Sequence, residues 1–533
     1  MKSNSMLALL KVLPICLVVV GCGGKNNGPG EIIIEPDDPE ELVTFNVWMP
    51  LEPWSISSFT NRDFGENEVI KEIEKKFNVK FNFTHPATGS EVDQFSLMVA
   101  GKELPDLIFS PSWYAGGIEA GIREGVYVDF TKYLDEYCPN YKKVLDEDPE
   151  IKRIVQTDSK QIACFYSVSP YEEWCYYGPI FKSKWLQDVG EEVPVTIDDW
   201  ERVLTKFKTV KGANAPFVLS PTGWDYSAGT FLSAYGVAPS FYLDENGEMK
   251  YGLYEDGFFQ YLNKMRDWIK KGLVDPNFNE KDWNDELNQI LSNDSGVIMQ
   301  SPDTMSVYFE NAGISWVAAD YPKLHASDNL RYRLKNFRVT NGWMTAAAIT
   351  PNCKHIGRLL KVLDYGYSEE GAELYNFGIK GRSYTVNEET GEKEFTDLIY
   401  NNKYGLTPTQ CVWRYKVHNG LFIRDEHHAN PILVANPQSM AARQMWSEID
   451  TSAVIPPLTY TKSENQDIGA ATTIMNQYIQ TQTLSFLTGR QNDLSGNADV
   501  ITDPSNYRAN LVAKGLNDVL QICKDAYARY LAR

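Results

Sequence analysis

Between Val43 and Trp48 apolar and polar residues alternate (Val-Thr-Phe-Asn-Val-Trp), the period of a half-buried β-strand. A loop from Met49 to Gly65 follows, holding two Pro and Trp54. The pattern then changes: Val69, Ile70, Ile73 and Phe77 recur at helical spacing. The stretch 79–83 alternates again, and Leu104-Pro105-Asp106-Leu107-Ile108-Phe109 predicts a short buried strand entered through a proline. Strand, helix and strand in this order imply a largely parallel sheet with helices on its faces, an α/β class.

Further helices are signposted. Thr196 can cap a helix whose third position is Asp199, with Ile197, Trp200, Leu204 and Phe207 on one face. Phe258, Leu262, Met265 and Ile269 line another. Leu243-Asp244-Glu245-Asn246-Gly247-Glu248-Met249 predicts a hairpin turning at Asn246-Gly247. Ser368 precedes two acids and a helical run that stops at Gly378, and a last long helix carries Leu516, Val519, Cys523, Tyr527 and Tyr530. No internal repeat is visible.

With 533 residues the chain exceeds one compact core, and two lobes or domains are expected. A net charge of −20 argues against nucleic acid and against a polybasic membrane-surface protein. The first residues change the picture more. Lys2 and Lys11 are the only charges before an apolar run over 12–20, about half of what a bilayer span needs. A basic start, a short apolar run and a small residue before a cut describe a secretory signal over 1–21. Cys22 directly after it resembles the lipobox cysteine of bacterial lipoproteins, which carries the lipid. The Gly-rich run 23–30 and the acidic stretch 31–41 make 22–42 a flexible tether.

Of eight Cys, six remain after Cys16 and Cys22 are set aside; their spacings fix no pairing, and the absence of CxxC speaks against zinc. His427-His428 stands alone in a loop-like stretch and predicts no metal site. No GxSxG, GxxxxGK[ST] or HExxH occurs, so no catalytic residue, cofactor or metal is expected. The acidic loop 493–503 has oxygen ligands near calcium-loop spacing but lacks the Gly and terminal Glu of an EF-hand, and reads as a solvated loop.

The run Gly371-Ala372-Glu373-Leu374-Tyr375-Asn376-Phe377-Gly378-Ile379-Lys380-Gly381-Arg382-Ser383-Tyr384 resembles one found in the long branch of family 1 extracellular solute-binding lipoproteins. Leu104-Pro105-Asp106, Lys184-Trp185-Leu186-Gln187-Asp188-Val189-Gly190 leading into Pro194, the Asp-Glu-Asn-Gly hairpin, Lys271-Gly272-Leu273-Val274-Asp275-Pro276 and Ser485-Phe486-Leu487-Thr488-Gly489 are similar to that branch too, in one order over 44–531. The stretch 392–437 and the loop after Trp48 match nothing in it. The resemblance implies a two-lobed, periplasmic-binding-protein-like fold of type II, with interleaved lobes joined by hinge segments. It implies a solute, often a sugar, held between the lobes and passed to ABC permease subunits by a monomer. The lobes are expected at 43–164 with 342–450 and at 165–341 with 454–533, and the hinges at 163–177 and 339–348.

Sugars present flat C–H faces and a rim of hydroxyls, which aromatic rings and polar side chains match. Candidate plates in loops beyond strand ends are Trp54, Trp113, Tyr114, Trp224, Tyr226, Trp343 and Trp413, with Trp113, Trp224 and Trp343 foremost. Trp185 and Trp268 sit on helical faces and are expected in the core. Arg382 either meets the ligand or braces its own loop. Three rivals stay open: a secreted carbohydrate-active enzyme, an outer-membrane glycan-capture lipoprotein, and a sensor partner of a membrane kinase.

Overall fold

The structure, a computed structural model, describes residues 34, 36–52, 55–171, 175, 177–219, 229–333, 337–340, 342–428, 436–448, 450–489 and 503–533. Signal and tether residues up to 33, Cys22 among them, lie outside this set, as do Trp54, Trp224, Tyr226 and most of the acidic loop 493–503.

The first sheet is built from β1 (Val43–Trp48), β2 (Val79–Thr84), β3 (Leu107–Phe109), β4 (Cys164–Val168), β11 (Val339–Thr340) and β12 (Ala346–Ile349), in the order β11-β4-β12-β3-β1-β2. The alternation of β1 survives in three dimensions. Val43, Phe45 and Val47 are buried on one face while Thr44 and Asn46 are exposed. β2 and β3 run parallel to β1, and β12 runs antiparallel to both β3 and β4, so β1, β2, β3 and β4 share one direction. The strand expected from Leu104 begins only at Leu107; just before it, Asp106 donates its N–H to Asn46 O at 2.9 Å and its carboxylate accepts the Asn46 N–H at 2.7 Å.

A second sheet has the order β10-β5-β9-β6, from β5 (Gly178–Lys182), β6 (Phe217–Val218), β9 (Val297–Gln300) and β10 (Trp316–Ala318). Here β6 runs parallel to β9, while β5 opposes both β9 and β10. The helix Ile197–Thr209 starts at the expected capping box, Thr196 with Asp199, and buries Ile197, Trp200, Leu204 and Phe207. Such a cap contributes on the order of 1 kcal/mol. The predicted hairpin is β7 (Phe241–Leu243) with β8 (Met249–Tyr251), and Gly247 at φ +77° takes the left-handed turn position. Trp185 and Trp268 are core residues of this lobe, and its helices Lys462–Thr488, Pro504–Ala513 and Leu516–Ala532 pack on the same core.

Two separate cores make two lobes. One holds β1–β4, β11, β12 and residues up to Phe422; the other holds β5, β6, β9 and β10 with the C-terminal helices. The expected limits shift in three places. Phe165 to Val168 complete β4, and Val339-Thr340 pair with it, so both belong to the first sheet. The helix Pro437–Ser447, expected in the first lobe, packs on the second: its Trp446 is fully buried beside Ile180, Ile298 and Trp316. The expected hinge windows therefore contain strands, and the chain passes between the lobes after Tyr171, after Arg333 and, unforeseen, after His428, each time through residues outside the described set.

These crossings are tied together. Ser169 N–H donates to Arg338 O at 2.7 Å, and the Arg338 guanidinium donates to Ser169 O and Pro170 O. On the second lobe the Trp446 indole donates to Ala319 O at 2.8 Å, and Ser447 Oγ accepts the Cys175 N–H at 2.6 Å. Gly178 is required there, since a Cβ would stand 2.1 Å from the Trp446 ring. At the flank, Arg529 and Arg533 of the last helix both meet Asp158 of the first lobe, at 2.7 and 2.6 Å. All six described cysteines are buried and unpaired. Among the described residues no helix is long and apolar enough to cross a membrane.

Candidate functional site

Parallel strands of both sheets point their carboxyl ends toward the crossings. β1, β3 and β4 end at Trp48, Phe109 and Val168, and β12 begins beside them after Trp343. From the second lobe, β6, β9 and β10 end at Val218, Gln300 and Ala318. A ligand of such a fold lies outside these carboxyl ends.

An aromatic corner flanks the edge of the first sheet. Ser110, at φ +56°, turns the chain out of β3, and its hydroxyl donates to Trp343 O at 2.6 Å. The short turn Pro111–Trp113 then places the Trp113 ring edge-on to Trp48, Phe95 and Trp343, with centroids 6.1, 6.1 and 5.9 Å away. Trp113 and Trp343 remain half-buried, so both keep surface for a partner, while Trp48 is buried behind them.

The opposite face of the same edge carries a polar group that the sequence did not reveal. Glu52, 6% exposed, lies in the loop after β1 and receives the Asn419 amide at 2.8 and 2.9 Å. Arg424 donates to Asn419 Oδ1 at 2.7 Å and to Ser167 Oγ at 3.3 Å. Backbone bonds Val168 N to Phe422 O and Arg424 N to Val168 O lay residues 416–428 as a strap along β4. Asn67 holds the other end: it caps the helix Glu68–Phe77 through Val69 and Ile70 N–H, and donates to Trp413 O and Lys416 O. His85 clamps the base of the Glu52 loop. Its Nε2 accepts the Phe64 N–H at 3.1 Å, so Nδ1 carries the proton donated to Met49 O at 2.7 Å.

The strap also buries charge. Lys416 is 1% exposed and its ammonium donates to His428 O at 2.9 Å. Burial, with the like charge of Arg424, pushes it down to about 7 against a weaker pull from Asp425. Burial likewise holds His418 and His428 well below the usual imidazole range.

The remaining candidates divide. Tyr114 is half-buried against Tyr127 and donates to Glu124 at 2.6 Å; burial first and that carboxylate second push its hydroxyl up to about 12. Glu124 in turn pairs with Lys462 of the second lobe at 3.1 Å, so Tyr114 braces a contact between lobes. Trp413 is not a plate: it is 3% exposed, inside the first core, with its ring on His418. It lies within the helix Pro408–Tyr415, which a loop reading missed. Arg382 braces, since its guanidinium is paired with Glu68 at the start of a neighbouring helix. From the second lobe the edge shows acids already paired with arginines, Asp303 with Arg443 and Asp320 with Arg333. Among the described residues no group of three His, Cys, Asp or Glu is placed to hold a metal.

A family model of bacterial extracellular solute-binding proteins matches residues 58–373 of this two-lobed chain. The chain belongs to that family. This solute-binding protein is 21% identical to the fructooligosaccharide ABC transporter substrate-binding protein FusA of Streptococcus pneumoniae, over 97% of this chain and 96% of the relative. It is 22% identical to the polygalacturonan/rhamnogalacturonan-binding protein YtcQ of Bacillus subtilis, over 52% and 53%. Among solved structures, the alginate-binding protein AlgQ2 superposes with a TM-score of 0.70 at 22% identity, covering 92% of this chain and 99% of the other. An HMO binding ABC-transporter associated protein of Bifidobacterium longum infantis gives 0.71 at 16% identity, over 91% and 99%. At these identities the structures share the two-lobed fold. The family match ends at residue 373, so the strap with Asn419 and Arg424 lies beyond it.

Proposed function

We propose that this solute-binding protein captures an oligosaccharide between its lobes and delivers it to an ABC importer, without breaking or forming bonds. The Trp113–Trp343 corner carries the reading, because it stands at the strand carboxyl ends, with the polar Glu52–Asn419–Arg424 group on the other face of the same edge. Two half-buried indoles match the apolar faces of a sugar, and a carboxylate and amide match its hydroxyls. FusA, YtcQ and AlgQ2 are named for carbohydrate ligands, which supports the same class. Ligand contacts to both lobes favour a closed form, and closure about three crossings is the conformational step. No enzymatic step is assigned, since Glu52, Asp303 and Asp320 are each held by an amide or guanidinium partner.

A thermal-shift screen of the lipid-free chain against neutral and acidic oligosaccharides tests this. A ligand at 100 times its Kd stabilises the folded state by roughly 2.7 kcal/mol, enough for a clear rise in Tm. Recovery of the same saccharide unaltered after incubation is expected; cleavage products would make the protein an enzyme. Binding only to peptides or amino acids would remove the sugar reading.

We also place the lipid on Cys22, after a signal over 1–21. Cys22→Ala should move the protein from the membrane fraction to the soluble one. A variant that stays with the membrane would show that something other than this thiol holds it there.

A further inference from the structure

Under the polar group of the first lobe lies a pocket of about 50 Å³ between the sheet and the strap. Its walls include Met49, Phe83, Phe109, Met344 and Leu421, together with Ile70, Val362 and Leu363 from the packed helices. Apart from the Tyr375 hydroxyl, Asn419 supplies the only polar side chain in the lining. Position gives the pocket a direction. Met49 directly follows β1, Phe109 ends β3 and Met344 stands just before β12, all at the edge that faces the second lobe. The Asn419 amide is the one bonded to Glu52. The polar end of the pocket is therefore at the ligand edge, and its apolar end points into the core.

Size and polarity narrow the occupant. About 10–15 Å³ serves one water-sized sphere, so the pocket admits roughly three or four heavy atoms. A water needs two to four polar partners, and these walls offer almost none, so water is a poor occupant. A sugar ring is too large and too polar. An acetyl group has three heavy atoms, an apolar methyl to lead inward and a polar end to leave at the mouth. Two flexible Met side chains in its walls, Met49 and Met344, can adjust to it.

We propose that this pocket receives the acetyl group of an N- or O-acetylated sugar, with the ester or amide left beside Glu52 and Asn419. The inference rests on the oligosaccharide reading and adds a substrate class to it. Burying one methyl and its carbonyl carbon should favour the acetylated sugar by roughly tenfold.

The test uses pairs that differ at the acetylated position without a change of charge: chito-oligosaccharides against cello-oligosaccharides of the same length, and acetylated xylo-oligosaccharides against their saponified forms. Kd is measured for wild type and for Val362→Phe, which fills the pocket from its wall. Wild type should bind at least one acetylated member about tenfold more tightly than its partner, and Val362→Phe should bring that ratio toward one. Saccharide binding indifferent to acetylation overturns the inference and leaves the sugar reading standing. A folded Val362→Phe that keeps the ratio overturns it as well. No binding to any saccharide removes both. If Val362→Phe does not fold, Val362→Leu adds a single methylene and should lower the ratio part-way; an unchanged ratio there counts against the pocket.

Discussion

Trp113→Ala with Trp343→Ala should weaken saccharide binding by about 100-fold or more, to which each single change contributes roughly tenfold. A planar aromatic contact adds on the order of 1 kcal/mol beyond the apolar area it buries, and the area raises the loss further. The two rings touch at 5.9 Å, so the double variant need not equal the product of the singles. Both rings also pack on Trp48 or on each other, and some stability goes with them. Trp413→Ala separates the two effects. Its ring is core, so its loss should cost about 3–5 kcal/mol of stability with no comparable loss of affinity in the folded fraction. Calorimetry and thermal melts on all four variants read both quantities. Equal affinity in wild type and the Trp113/Trp343 double variant would remove the aromatic corner from the site.

Trp113 was legible because a buried strand, Leu107–Phe109, ends just before it and its loop must then open at the carboxyl edge. Trp343 was legible as a ring near a chain crossing, although the crossing itself precedes β11. The Thr196–Asp199 capping box, the Asn246-Gly247 hairpin and the amphipathic helices are local signals, and they held for that reason. The lobe limits were not local. Ala346 to Ala348 form a central strand despite weak intrinsic preference, because β3 and β4 on either side supply the ladder. The helix Pro437–Ser447 joins the second lobe through Trp446, whose partners Gly178 and Ala319 are far away in sequence. Glu52, Asn419 and Arg424 come from two loops 367 residues apart and acquire meaning only once the strap lies along β4. The stretch 392–437 matched no resemblance, and that is where the strap and the third crossing are found.

Lys416→Met should stabilise the ligand-free protein by on the order of 3–4 kcal/mol near pH 6.5, by an amount that shrinks as pH rises. The native Lys416 titrates at about 7 against an ordinary 10.5. Below pH 7 both folded and unfolded chains hold the proton, and the cost of a buried ammonium is fully present. As pH rises from 7 toward 10.5 the folded chain releases the proton first, so the unfolded chain binds more protons and stability climbs by about 1.4 kcal/mol per pH unit. Methionine has no such proton, and its variant lacks this slope. Losing the bond to His428 O offsets about 1 kcal/mol of the gain. Lys416 also depresses His418 and His428, so both imidazoles rise somewhat in the variant, while burial, the larger cause, still holds them down; the buried thiols are the same in both proteins. Urea melts of both proteins at pH 6.5, 7.5 and 8.5 measure the gap. A gap that narrows with pH identifies Lys416 as a buried charge at the root of the third crossing. A methionine variant less stable than wild type at every pH would instead mean that the ammonium is stabilised by the strap around it.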